Sequence, residues 1–308
     1  MGIATGAEGA EVVPLVPRGR LVGVSYGPLR STRRGSGSDI AGSRAYRAGD
    51  DVDLIDWAAS ARLSSALGRD EFVVRELHAE EAPRVVVVAD RSPTMALYPQ
   101  PLPWLAKWRA LDEAVAVIGR SALAARSFPG YLDYADGELH WRSPRGGGVV
   151  AGDLSARGFG APPGSLELGL RHLTELRPAP RLGTFVFVLS DFLEPPPLHL
   201  WHEAVERGWD VVPVVIQDAV WERSFPLVAG VMVPFVDAFG GRPRLVRFTQ
   251  DEVDARREAN EARFRALVRG FEELGLEPVV LDRDEPAAVV ESFLAWADGR
   301  IAERGRGW

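Results

Sequence analysis

The feature that most constrains this chain is a change of pattern at Arg84. Beyond it, short apolar runs alternate with long amphipathic segments, and the runs are apolar at every position rather than at every second one. Such a strand is buried on both faces, which calls for a sheet covered by helices on either side and hence mostly parallel strands. VVVVA (85–89) and TFVFVL (184–189) are the clearest of these strands, with others over 211–216 and 277–281. Leu105, Trp108, Leu111, Val115 and Ile118 recur at helical spacing and predict a helix over 104–125. Further helices are expected over 165–176, 198–207, 250–274 and 286–302, the last with Pro286 in its first turn, where no N–H is needed. YLDYADGELHW (131–141) predicts a hairpin turning at Asp136-Gly137, and FGGRP marks a second, inserted hairpin within about 228–248.

The sum is an α/β fold over residues 83–304, doubly wound around a mostly parallel sheet. Residues 1–82 lack the alternation. Their short apolar runs between turn residues (LVGVSY, EFVVREL) predict a strand-and-loop extension.

Composition excludes several classes of function. The formal net charge of −7 argues against general affinity for nucleic acid, which depends on neutralising phosphates. One local exception is the segment from Arg18 to Arg47, where Arg18, Arg20, Arg30, Arg33, Arg34, Arg44 and Arg47 stand against the single acid Asp39. That segment is either a solvated loop or a docking surface for an acidic partner. The absence of cysteine removes thiol nucleophiles and thiolate metal sites, and is compatible with a reducing compartment. No window approaches 18 consecutive apolar residues, and glutamates occupy the start where a signal peptide needs positive charge. A cytoplasmic protein with no membrane span in this chain is therefore expected.

In open α/β sheets ligands sit outside the carboxyl ends of the strands, where strand order reverses. Two strand ends here carry the same chemistry: Asp90, Ser92 and Thr94 after VVVVA, and Ser190-Asp191 after TFVFVL. Side chains i, i+2 and i+4 of a tight turn can aim at one point, and Pro93 stiffens that turn. If the strands are neighbours, two carboxylates and several hydroxyls converge, a hard-oxygen set suited to Mg²⁺, with Mn²⁺ also acceptable. Hydroxyls add ligands without charge, so a bound cation would stay open to an acidic group from outside. The competing account is structural: Asp90 caps the following turn, and the hydroxyls bond local backbone.

VVVVADRSPTM, the Gly164-Ser165 pair before a helix, and VFVLSDF resemble the three loops of the metal-ion-dependent adhesion site of von Willebrand factor type A domains. Asp90, Ser92 and Thr94 match its D-x-S-x-S loop with threonine in the last position. Ser165 stands where that family usually has threonine, and Asp191 matches the third-loop aspartate. Upstream, SRAYRAGDDVDLIDWAASARL is similar to the R-x-Y-x-x-G-D-D-x-x-x-I-D-W-x-x-x-A-R motif of the bacterial domain of unknown function 58 family, with Arg44, Tyr46, Gly49, Asp50, Asp51, Ile55, Asp56, Trp57, Ala61 and Arg62 in place. The resemblance implies a von Willebrand factor type A (Rossmann-like) fold and a metal site of Asp90, Ser92, Thr94, Ser165 and Asp191 holding Mg²⁺. It also implies a non-catalytic role in protein–protein interaction, as a partner of a MoxR-type AAA+ ATPase or its client, in chaperoning or protein maturation. Read without the resemblance, the Asp50-Asp51-Asp53-Asp56 run lacks the glycine of a calcium loop. Structural roles are expected there: a turn at Gly49, an aspartate capping a short helix, Trp57 in the core, and Arg44 or Arg62 paired with acids.

The enzymatic alternative is a Mg²⁺-dependent phosphohydrolase with Asp90 as nucleophile. Sites of that kind resemble D-x-D-x-T, and the second acid is here Ser92. The one lysine, Lys107, falls inside a helix, where a phosphate is not expected to reach it. No G-x-x-x-x-G-K-[ST] or G-x-S-x-G is present, and the Gly-rich stretches at 35–42 and 145–148 do not link a strand to a helix. His199 and His202 share a helix face, where solvated side chains are expected more readily than a metal pair.

Overall fold

The computed structural model describes residues 12–18, 40–46, 55–77, 84–97, 105–144, 156–240 and 242–306. The chain divides into two compact units, residues 17–83 and the rest. No described helix is long and apolar enough to cross a membrane.

In the smaller unit, β1 (Ile40–Ala45) and β2 (Val73–Leu77) pair antiparallel, with α1 (Trp57–Leu67) between them in the chain. Asp56 is the expected aspartate cap, its Oδ1 accepting from the Ala59 N–H at 2.9 Å, and Gly68 ends the helix at φ 66°. Trp57 departs from expectation. It is 61% exposed, at the start of α1, with Phe72 edge-on at 6.1 Å between ring centroids. The helix meets the chain around β2 through hydroxyls instead: Ser60 Oγ accepts from the Val73 N–H and Ser64 Oγ from the Glu71 N–H. Gly49, Asp50 and Asp51 lie outside the described residues.

The larger unit is built on β3 (Val85–Ala89), α2 (Lys107–Ala124), β4 (Pro129–Asp133), β5 (His140–Arg142), α3 (Ser165–Glu175), β6 (Phe185–Ser190), α4 (Leu198–Glu206), β7 (Asp210–Ile216), β8 (Met232–Phe235), β9 (Arg244–Arg247), α5 (Gln250–Glu273), β10 (Val279–Leu281) and α6 (Pro286–Arg306). Its six-stranded sheet has the order β10-β7-β6-β3-β4-β5, parallel throughout except for β5 at one edge. The expected first hairpin is β4–β5, with Gly137 in its turn at φ 79°. The second is β8–β9.

Continuous apolarity of the strands is explained by helices on both faces. Val86 and Val188 face a core formed with Leu170 of α3, Trp201 of α4 and Phe271 of α5. On the opposite face Phe187 lies against Phe293 and Trp296 of α6, and α2 packs on β3, β4 and α6. Burial of this kind stabilises by about 25 cal/mol per Å² of apolar surface, so replacing the alternate residues of such a strand by polar ones would be costly on either face.

The smaller unit ends after residue 83, one residue from the expected break at 82/83, and the departure is at its start, which falls after Val16. The described residues 12–16 belong to the larger unit: the Val13 N–H donates to Ser121 Oγ of α2 at 3.0 Å, and the Val16 carbonyl accepts from Arg300 of α6 at 2.9 Å. Val13 and Val16 are buried apolar residues there, which is what ties them to the helices.

Candidate functional site

Across the sheet the parallel strands run β4, β3, β6, β7, β10, so the winding reverses between β3 and β6. Those two strands are hydrogen-bonded neighbours with Ala89 opposite Leu189, and the next residues, Asp90 and Ser190-Asp191, therefore stand side by side at the reversal. The Asp90 N–H extends the ladder by one bond, to the Leu189 carbonyl at 2.8 Å. Asp90 Oδ1 accepts from the Ser92 N–H at 2.8 Å, which turns the chain, and Oδ2 accepts from Ser190 Oγ at 2.6 Å. Ser92 then caps a single 3₁₀ turn that opens at Pro93, and its Oγ lies 2.8 Å from Thr94 Oγ1. On the next loop Gly164, at φ 76°, allows the chain to enter α3 with Ser165 as its first and buried residue.

Asp90, Ser92, Thr94, Ser165 and Asp191 all line one cleft of about 260 Å³. Pro162-Pro163, Pro195-Pro196-Pro197 and Phe239 from the β8–β9 loop also line it. Two more acids, Glu167 and Glu194, line it, and among the described residues no lysine or arginine does. The backbone after Asp191 is held in an uncommon conformation, with Phe192 at φ 48°. The surroundings fix it there: the Phe192 ring packs against Trp201 and Phe271, and its N–H donates to Ser190 Oγ at 2.9 Å.

Behind the cleft lies a buried ionic group that the sequence had not suggested. Lys107 is fully buried, and its Nζ donates to Asp191 Oδ2 at 2.7 Å and to Glu222 Oε1. Lys107 lies inside a helix, as expected, and does not line the cleft; from the first turn of α2 its side chain reaches Asp191 at the tip of β6. A signal for it did exist. Lys and Arg total 36 in this chain, and only one is lysine. Glu222 gave no such signal, because it lies on an irregular segment 115 residues away.

Burial pushes the Asp90 carboxyl above its ordinary value, the negative charge of Asp191 pushes the same way, and hydrogen bonds from Ser190 and Ser92 oppose both. Burial alone would lower Lys107, yet the two carboxylates outweigh it and hold the amine as ammonium. Glu222 is raised by burial and by Asp191, an effect the shared ammonium only partly offsets. Crowded negative charge at Asp90 is what a cation would relieve. Among the described residues no three of His, Cys, Asp and Glu gather as a metal site, so a cation here would rest on two carboxylates and the hydroxyls of Ser92, Thr94 and Ser165. That oxygen set fits Mg²⁺ or Mn²⁺ and offers nothing to a softer ion. His199 and His202 are exposed on α4, with no third ligand gathered beside them among the described residues.

The remaining motif residues sit in the smaller unit. Tyr46 lies edge-on to Phe72 at 6.4 Å, Arg44 donates to the Ala45 carbonyl, and Arg62 donates to the Ala58 carbonyl of its own helix.

The family model described as protein of unknown function DUF58 matches residues 42–266. No curated protein matches the chain. Among solved structures, the conserved hypothetical protein BatB from Bacteroides thetaiotaomicron is similar at 16% identity, with a TM-score of 0.35 over 71% of this chain and 100% of that one. At that score the likeness bears on neither fold nor function.

Proposed function

Since the chain belongs to the DUF58 family of proteins of unknown function, its role rests on the chemistry of the cleft, and we propose that it is a non-catalytic interaction protein. The larger unit acts as a von Willebrand factor type A-like domain whose cleft presents Mg²⁺, or Mn²⁺, to an acidic side chain of a protein partner. By the resemblance of its motifs, that partner is a MoxR-type AAA+ ATPase or its client, in protein maturation or chaperoning. Counting the antiparallel edge strand, the sheet order reads 3-2-1-4-5-6 in chain order, which supports a fold of this kind.

The observation that carries the proposal is the convergence of Asp90, Ser92, Thr94, Ser165 and Asp191 on one cleft that, among the described residues, no basic side chain lines. Two carboxylates, one of them shared with Lys107, leave a divalent ion under-neutralised, and an incoming carboxylate completes it. Without the ion the same carboxylate would meet Asp90, Glu167, Asp191 and Glu194, and be repelled. Capture of the partner from native cells is therefore expected to require Mg²⁺ and to fail in EDTA or with Asp90→Ala. Retention of the partner under either condition would remove the metal bridge.

A Mg²⁺-dependent phosphohydrolase is the second reading, and the Lys107–Asp191 pair beside a strand-tip acid is the observation in its favour. Against it, Lys107 does not line the cleft, both Asp90 oxygens accept hydrogen bonds, and among the described residues no cationic side chain lines the cleft to receive a phosphate. Turnover of a generic phosphate ester that is lost in Asp90→Asn would reverse the ranking.

A further inference from the structure

The hairpin β8–β9 is anchored by one face only. Val233, Phe235 and Val246 pack toward Trp221, Phe225, Phe248 and Val253, while Met232 and Leu245 on the other face are 51% and 66% exposed. Towards its turn the anchored face opens into a concavity of about 640 Å³, floored by Phe235 and Val246 and rimmed by Arg242 and Arg244. Among the described residues neither arginine has a carboxylate partner, and both are exposed. Arg256 of α5 lies over the Phe235 ring at 5.8 Å and over Phe248 at 5.0 Å, outside the lining of the basin. The segment 228–248 holds three arginines against Asp237, in a chain whose net charge is −7. An apolar floor under unpaired guanidinium groups is complementary to a carboxylate flanked by an apolar side chain.

We propose that this basin is a second, metal-independent docking site, and that it takes an acidic segment of a partner protein in which carboxylates alternate with apolar residues. The loop that bounds the basin through Val236, Asp237 and Gly240 also supplies Phe239 to the wall of the cleft, so the two sites are contiguous. Their balance of charge is opposite: the cleft is lined by four acids, and the basin by two arginines against the single acid Asp237. The basin therefore receives an acidic segment whether or not a cation fills the cleft, and this inference stands apart from the cation reading.

The test uses the full chain in EDTA and a fluorescein-labelled peptide of alternating Glu and Leu, read by fluorescence anisotropy. Saturable binding that weakens with salt is expected, with at least a tenfold loss in Arg242→Glu/Arg244→Glu, whose exposed positions leave the fold intact by circular dichroism. Leu245→Ser, on the opposite face, and Asp90→Ala, in the cleft, are expected to bind as the parent does. Glu/Ser and Lys/Leu peptides are expected to bind at least tenfold more weakly, the first for want of apolar contact and the second for its charge. No saturable binding of the Glu/Leu peptide, equal binding of the Lys/Leu peptide, or an unchanged affinity in the double arginine variant would each overturn the proposal. So would a loss in Asp90→Ala, which would put the peptide in the cleft. Because chelator is present throughout, none of these results depends on whether the cleft binds Mg²⁺.

Discussion

Replacing Lys107 by methionine isolates the contribution of the buried ionic group. The substitution keeps the length of the side chain and removes one positive charge from between two carboxylates, Asp191 and Glu222, whose side chains are 3% and 4% exposed. Breaking a buried pair from one side leaves the other charge uncompensated, at a cost of about 3–5 kcal/mol. For a unit of this size, at about 2–4 °C per kcal/mol, that is a fall in Tm of roughly 6–20 °C. The pH dependence carries the sharper signature. In the variant Glu222, already raised by burial and by Asp191, loses the ammonium that opposed both, so the native state binds more protons than the unfolded one, and stability rises as pH falls from neutrality towards about 5. In the parent, the Lys107 value is raised, so its contribution is complete below the ordinary lysine value of 10.5 and is lost only as pH climbs through the higher folded value. Thermal unfolding followed by tryptophan fluorescence, across that range of pH, reads both effects. Adding Glu222→Gln to Lys107→Met should recover part of the loss. A loss below about 1 kcal/mol, or a double variant weaker than the single one, would refute the account of a charge-balanced triad.

Three further outcomes are expected. Protons compete with a cation at Asp90, whose carboxyl is raised, so Mg²⁺ affinity by titration calorimetry should weaken as pH falls towards about 5, and Asp90→Asn should flatten the profile. Mg²⁺ at ten times its dissociation constant should stabilise the parent by only about 1.4 kcal/mol, and Asp90→Ala should abolish that increment while leaving the fold in place by circular dichroism. Gly164→Ala meets no atom within 4 Å of the added carbon, yet it forces a side chain to φ 76°, at a cost of about 1–2 kcal/mol. Chemical denaturation measures that cost, and a loss of Mg²⁺ affinity beyond it would show that Ser165 has moved.

The larger unit was legible because its strands announce themselves. VVVVA and FVFVL are apolar at every position, and only a sheet covered on both faces accepts them. The acids that follow were legible for the same reason, since a charge directly after such a run has to emerge at the sheet's edge. What pattern alone could not supply was adjacency: that β3 and β6 are neighbours follows from strand order, which no local period encodes. Lys107 was hidden by its helix, where one polar residue among Leu105, Trp108 and Leu111 resembles an ordinary solvated position. Trp57 misled because a tryptophan in an Ile-Asp-Trp run looks like core, whereas Ser60 and Ser64 supply the bonds from α1 to the neighbouring strand.

The tie made by Arg300 changes how the chain should be dissected. Its guanidinium holds the Val16 carbonyl together with the carboxylate of Asp210, the first residue of β7, while the Arg84 carbonyl is already bonded to Phe185 at the start of β6. The smaller unit is consequently a detour, leaving one frame after Val16 and rejoining it at Arg84, with a covalent leash at each end. A single proteolytic nick within 17–83 would leave the amino-terminal fragment held to the other through Val13 and Val16, and trimming from the amino terminus through residue 83 would strip those residues from the helices they cover. A clean excision has to cut the loop out and reseal it.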